Sequence, residues 1–176
     1  MRVIAGEFRS RKLASVPGMA VRPTPDRMRE SLFSILATVI EGAVFVDAYA
    51  GSGSVGIEAV SRGARRGVFI ERSSAALEVL RGNIASLGIQ GRVNVIRGKA
   101  GQALAGLKAD VIFIDPPYTD PEEYAAAMAV ADAPLVICQH ASRQELEERY
   151  GRLVRYRTLR QGDNTLSFYR REAGED

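Results

Sequence analysis

An α/β fold, with a mostly parallel seven-stranded sheet and helices on both faces, is predicted by three features of the sequence. Five short runs rich in Val, Ile and Phe recur between residues 43 and 138, and they read as strands buried on both sides. Segments of helical spacing separate them, which is the pattern of repeated strand-helix units with right-handed crossovers. A glycine-rich stretch, VDAYAGSGSVGIE over 46–58, follows the first run and opens a helix, at the edge where open parallel sheets receive ligands.

Taken in order, RVIAGEF and RKLASV predict a small N-terminal β-hairpin arm over 1–21 that carries Arg9, Arg11 and Lys12. Thr24 is expected to cap a helix with Pro25 and Asp26 in its first turn. Met28, Leu32, Ile35, Leu36 and Val39 then form one apolar stripe to lie on the sheet. The strands follow as AVFVD (43–47), GVFIE (67–71), RVNVI (92–96), ADVIFID (109–115) and PLVIC (134–138). Between them, Val55, Ala59 and Val60 lead to Gly63, and Leu77, Leu80, Ile84 and Leu87 lead to Gly88. Both glycines suit C-terminal caps. Weaker helical periods occur at Leu104 and Leu107 and at Tyr124 and Met128. LVRYRTL and TLSFYRR alternate about the turn signal RQGDN, so a C-terminal β-hairpin closes the fold. The final AGED is expected to fray.

The 176 residues, 46% hydrophobic and 26% charged, suit one domain with a substantial core. No stretch approaches the roughly 20 apolar residues of a membrane span, and the charged N-terminus lacks a signal core. A cytoplasmic protein is expected. The lone Cys138 excludes an internal disulfide, and with the lone His140 it counts against a metal site or a histidine-based triad. Charge is uneven: residues 1–29 hold seven Lys or Arg against two acids, 149–176 hold seven against four, and 30–148 hold ten against fifteen. If the two basic ends meet, they form one face suited to a phosphate backbone. The plainer account is that arginine, 21 of the 24 basic residues, is the preferred surface cation.

Gly51, Gly53 and Gly56 match G-x-G-x-x-G, and Glu71 stands 20 positions after Gly51. Such a loop lets backbone approach a ligand, and an acid at the end of the next strand accepts hydrogen bonds from ribose hydroxyls. A dinucleotide and S-adenosyl-L-methionine both carry that ribose. Asp47, at the head of the loop, would repel a pyrophosphate but suits the amino end or water shell of a methionine moiety. Asp115-Pro116-Pro117-Tyr118 directly follows VIFI and reaches the same sheet edge. Two prolines have no N–H donors and fixed φ, so backbone carbonyls are left to face a ligand, with the Asp115 carboxylate and the flat Tyr118 ring beside them. Together these accept hydrogen bonds from an exocyclic amine and stack on its base. Alone, the glycine loop is compatible with a plain turn into a helix, and the tetrapeptide with a strand-ending turn. Their joint occurrence, with Glu71 between them, favours a methyl-donor site that needs no metal and no nucleophilic side chain.

These residues resemble the bacterial 16S ribosomal RNA guanine-N2 methyltransferases that modify guanine 966, within the Rossmann-like class I S-adenosyl-L-methionine-dependent fold. The resemblance covers nearly the whole chain, through RVIAGEFRSRKL, RPTPDRMRESLFSIL (22–36), VDAYAGSGSVGIEAVSRGA (46–64), IDPPY (114–118) and GDNTLSFY (162–169). It implies that Asp47, Ala50, Gly51, Gly53, Glu71, Arg72, Ala100 and Thr24 hold the cofactor, and that Asp115, Pro116, Pro117 and Tyr118 hold the target amine and base. Arg22, Thr24, Arg27 and Arg29 resemble the segment that closes the cofactor and RNA side, and Arg9, Arg11 and Lys12 resemble an RNA-gripping arm. Two positions depart from the pattern. Lys99 stands where many class I enzymes place an acid toward adenine, which shifts that recognition to backbone near Ala100, and Gln139-His140 replaces Glu-His after the fifth strand. His140 reads as a hydrogen-bonding strand-end residue, Cys138 as a small core residue, and Arg155, Arg157 and Arg160 as a solvated strand face with RNA contact as the alternative.

The expected activity is methylation of the N2 amine of a guanine in 16S rRNA, by a monomer acting on a 30S subunit or an assembly intermediate, with neither metal nor membrane involved. Three alternatives stand beside it. An N6-adenine methyltransferase on DNA or RNA could use the same tetrapeptide, and a non-catalytic RNA-binding assembly factor could keep the fold without the chemistry. A nicotinamide oxidoreductase would reveal itself by absorbance of a co-purifying cofactor.

Overall fold

A computed structural model describes residues 1–18 and 24–174. Its strands join one eight-stranded sheet in the order β3-β2-β1-β4-β5-β8-β7-β6. Strands β1 (Val44–Asp47), β2 (Arg66–Glu71), β3 (Val93–Arg97), β4 (Val111–Ile114) and β5 (Leu135–Ala141) are mutually parallel. The order reverses between β1 and β4, because β2 and β3 build outward on one side and β5 on the other. β8 (Asn164–Arg171) then runs antiparallel to β5, from Ala141↔Asn164 to Leu135↔Arg170. This register carries the turn between β7 (Leu153–Gln161) and β8 to the carboxyl edge of the parallel strands.

Alternation along the central strands separates two layers. Val46, Val68, Ile70, Ile112 and Ile114 face Tyr124 and Met128 of α5 (Glu122–Val130) and the short α4 (Ala100–Ala103). On the opposite face, Phe45, Val111 and Phe113 meet Met28, Leu32 and Phe33 of α1 (Asp26–Ile35) and Val55 and Ala59 of α2 (Ser54–Ser61). Phe69 and α3 (Ser74–Leu87) extend that second layer, where Val3 and Leu13 of the arm are buried. Burying a side chain such as Phe69, 0% exposed, contributes ~2 to 3 kcal/mol.

Several local expectations are corrected. The sheet has eight strands, since the two-residue β6 (Arg149–Tyr150) pairs with the edge of β7, and two residues are too few to show a period. The arm is closed by one antiparallel bridge, Arg2↔Lys12, rather than by two strands. Its outer turn passes through Ser10 at φ 69°. Thr24 does not cap α1: Pro25 is the N-cap, and the Thr24 hydroxyl donates instead to Gln139 Oε1 at 3.3 Å. Val39 leaves the apolar stripe and is 47% exposed, because a 3-10 turn over Leu36–Thr38 shortens the period and turns Ile40 inward in its place.

Candidate active site

At the carboxyl ends of β1 and β4, where the strand order reverses, the structure opens a cavity of about 520 Å³, a size typical of small-molecule sites. Every parallel strand contributes to its wall: Ala48, Tyr49 and Gly51 after β1, Glu71 and Arg72 after β2, Lys99 and Ala100 after β3, Asp115 to Tyr118 after β4, and Gln139 on β5. Pro25 and Asn164 complete it from outside the parallel set.

On one side Glu71 organises the loop. Its Oε1 accepts from the Gly51 N–H at 2.8 Å, and its Oε2 accepts from the Arg72 and Ser73 N–H groups at 2.8 Å each. A carboxylate offers about four lone-pair sites, so three backbone donors leave acceptor capacity for a ribose hydroxyl. Gly51, at φ 55° with open space where a Cβ would stand, presents bare backbone to the cavity. Lys99 and Ala100 face the same space from the start of α4. These residues fit the ribose and base of an adenosine cofactor. Across the rim, Tyr49 donates its hydroxyl to Glu123 Oε2 at 2.8 Å, and Arg72 lies 3.7 Å from Asp120. The latter pair is half-exposed and contributes ~0 to 1 kcal/mol.

Four residues expected at the cofactor, Asp47, Ala50, Gly53 and Thr24, stand behind the wall rather than in it. Ala50 donates its N–H to Ile70 O at 2.9 Å. At Gly53, φ is 88° and a Cβ would meet Leu80 Cδ1 at 2.4 Å, so this glycine seats the loop on α3. Asp47 is buried and accepts from the Gly56 N–H at 3.0 Å, stapling the loop from below. Burial pushes its carboxyl up to about 7; the Gly56 bond lowers it, and the charge of Glu71 raises it further. An unfolded aspartate titrates near ~3.9. The folded value is therefore the higher one, and the group's stabilising contribution is complete below the unfolded value and is lost as pH rises through about 7. Asp47→Asn keeps an oxygen for Gly56 and removes the titration. Denaturant unfolding over a pH series is expected to show wild-type stability falling relative to this variant between pH ~4 and ~7, and parallel curves would refute the account.

The opposite wall is the Asp115 to Tyr118 segment. Pro116 is buried, Pro117 exposed, and Asp115 and Tyr118 are half-buried. The Tyr118 hydroxyl donates to Asn164 Oδ1 at 2.6 Å. Asn164 lines the cavity although GDN reads locally as a hairpin turn, and its place within GDNTLSFY is the one sequence signal for it. Gln139 is held twice, through Oε1 by Thr24 and through its carbonyl by the Tyr124 hydroxyl at 2.7 Å. His140 lies outside the wall with Nε2 2.8 Å from Ser167 Oγ, and burial lowers its pKa.

Arg9, Arg11, Lys12 and Arg27 are exposed, while Arg22 lies outside the described residues. Arg29, expected to face RNA, is corrected: it is 0% exposed. Its Nη2 donates to Arg2 O at 2.7 Å and to Asp26 Oδ1 at 3.0 Å, and Nη1 stands 3.9 Å from Glu58. Glu58 in turn accepts from the Ile4 and Ala5 N–H groups at 2.8 and 3.1 Å. Arg29 therefore belongs to a buried junction that seats the arm on α1 and α2. Among the described residues, no helix is long and apolar enough to cross a membrane, and no three His, Cys, Asp or Glu side chains group to hold a metal.

Comparison with known proteins agrees with this architecture. The family model described as "Conserved hypothetical protein 95" matches residues 1–170. The chain is 32% identical over 182 residues to "Putative rRNA methyltransferase YlbH" of Bacillus subtilis, covering 97% of this chain and 99% of that protein. It is 41% identical over 120 residues to "Ribosomal RNA small subunit methyltransferase D" of Escherichia coli, spanning 67% of this chain and 60% of that protein. The solved structure titled "Putative methyltransferase yhhF" from Escherichia coli superposes with TM-score 0.85 at 31% identity, over 99% of each chain. The chain thus belongs to the conserved hypothetical protein 95 family, that of ribosomal RNA small subunit methyltransferase D, and has a class I S-adenosyl-L-methionine-dependent methyltransferase fold.

Proposed function

We propose that this chain transfers a methyl group from S-adenosyl-L-methionine to the exocyclic N2 amine of a guanine in small-subunit ribosomal RNA, guanine 966 by resemblance. The observation that carries the proposal is that Glu71 and Gly51 share one cavity with Asp115 to Tyr118. A donor held by the first pair and an amine held by the second would meet there. The cofactor, when bound, supplies a methyl group already activated by a positively charged sulfur.

The chain's own task is alignment. A purine amine is a poor nucleophile because its lone pair is delocalised into the ring. Asp115 and the Pro116 carbonyl accept hydrogen bonds from its two hydrogens and leave the lone pair to face the methyl carbon, while the Tyr118 ring supports the base. As the N–C bond forms the S–C bond breaks, the neutral thioether leaves, and the methylated amine gives up one proton to Asp115 or to water. Such positioning supplies several kcal/mol, on the order of 7 or more in well-oriented systems. Guanine carries N1–H beside its amine where adenine carries a bare N1, and an acceptor-rich wall favours guanine. A paired base would be extruded to reach the cavity.

Transfer of labelled methyl to 30S particles, naked 16S RNA and duplex DNA, followed by digestion to nucleosides, tests the proposal. N2-methylguanosine from the ribosomal samples is the expected product. N6-methyladenosine would overturn the choice of base, and no label despite cofactor binding would overturn the chemistry.

A further inference from the structure

A second feature lies on the C-terminal hairpin, outside the cavity. Tyr156 on β7 is 44% exposed, a large ring in water. The β7–β8 register jumps from Arg155↔Tyr169 to Arg157↔Phe168, so Tyr156 is the extra residue of a β-bulge. Bulges re-aim side chains and are common beside active sites. Around this ring the cations are arranged rather than scattered. The Arg170 guanidinium sits 5.2 Å from the Tyr156 centroid, and that of Arg157 sits 5.9 Å from the Phe168 centroid, itself 6.4 Å from Tyr156.

Among the described residues the ion pairs of the hairpin lie at the end away from the cavity, and Arg152 and Arg155 bond backbone carbonyls. At the far end of the hairpin Arg149 bonds Glu172 and Arg171 bonds Asp132. Among the described residues, Arg157, Arg160 and Arg170 form no ion pair with an acid. β7 also leads to the cavity: it ends at Gln161, which donates to Ser31 of α1 at 2.7 Å, and the turn then delivers Asn164 to the wall. At ~3.3 Å per residue, Tyr156 lies roughly 17 Å from that end, within reach of the few nucleotides flanking a base held in the cavity. An aromatic platform between unpaired arginines on such a path has the composition of a single-strand binding surface.

We propose that β7 and the adjoining part of β8 form a docking track for single-stranded RNA flanking the target nucleotide, with Tyr156 stacking on a base and Arg157 and Arg170 meeting phosphates. The track rests on the reading of the chain as an RNA methyltransferase. It adds grip on the substrate strand without touching the reacting atoms.

The test compares Tyr156→Ala, Tyr156→Phe and the double variant Arg157→Ala with Arg170→Ala. Methyl transfer to 30S particles and naked 16S RNA is measured beside direct binding of a labelled single-stranded RNA and of the cofactor. Tyr156→Ala is expected to raise KM for RNA about tenfold with kcat and cofactor binding unchanged, and Tyr156→Phe to restore it. The double variant is expected to flatten the slope of log affinity against log salt by about 1.4, at about 0.7 per phosphate contact on a single strand. Unchanged KM and slope in the folded variants would overturn the track. A defect confined to 30S particles, absent with naked RNA, would overturn it in favour of a ribosomal protein as the partner. A wild-type chain that binds RNA through Tyr156 but transfers no methyl would support the track and overturn the catalytic reading alone.

Discussion

Replacing Asp115 with alanine or asparagine is expected to lower methyl transfer at least a hundredfold while leaving cofactor affinity unchanged. Asp115 stands at the end of β4 in the wall opposite Glu71. Its carboxylate is the one charged acceptor that the Asp115 to Tyr118 segment offers an amine; alanine removes both orientation and charge from the reacting nitrogen, whereas asparagine keeps one accepting oxygen and removes the charge. Removing a single oriented group at a developing charge costs ~3 kcal/mol or more in the barrier. Asp115 is half-buried, so neither substitution leaves a sealed cavity and the fold should hold. Calorimetric titration of the cofactor beside single-turnover transfer separates the two effects. Retained turnover with weakened cofactor binding would place Asp115 on the wrong side of the site.

Glu71→Ala should produce the complementary result, with cofactor affinity falling on the order of a hundredfold, or ~2.7 kcal/mol. Three N–H groups, of Gly51, Arg72 and Ser73, lose their acceptor in this variant. The β1–α2 loop is then no longer tied to the end of β2, and the acceptor proposed for the cofactor ribose is gone. Each orphaned donor costs ~1 to 3 kcal/mol when sealed from water, and the low end applies here because Glu71 is half-buried and water can replace it. Glu71→Gln should fall between, because an amide offers one accepting oxygen and turns its NH₂ toward backbone donors. Saturating cofactor should recover most of the rate in both variants. A loss of kcat that no cofactor concentration restores would show that Glu71 serves the reaction rather than binding.

The two substitutions divide the cavity between donor and acceptor, and their pairing was already implicit in the chain. Glu71 and Asp115 are 44 residues apart in sequence, yet each ends a parallel strand, and parallel strands in one sheet bring their carboxyl ends to one edge. Arg29 shows the opposite case. It shares its segment with the exposed Arg27, and composition treats the two alike. Their different fates follow from where the arm docks. Arg2, Ile4 and Ala5 present backbone groups to Arg29 and Glu58, so the charges there hold the arm to the helices instead of facing a polyanion.

Legible in the chain were the α/β class, the five parallel strands, the helices between them, the closing hairpin and the place of the glycine loop and the Asp115 to Tyr118 segment at one sheet edge. Each of these follows from interactions within a few residues, as side-chain period, turn chemistry and the fixed backbone of proline. The antiparallel insertion of β8 beside β5, which carries Asn164 to the Tyr118 hydroxyl 46 positions away, arises only when distant segments pack. Packing likewise set Asp47 beneath the loop and Gly53 against α3, both behind the wall, and turned Tyr156 outward on its bulge. The physical reason is common to all three: burial and partnership depend on which surfaces meet when distant segments pack, and no local pattern records that choice.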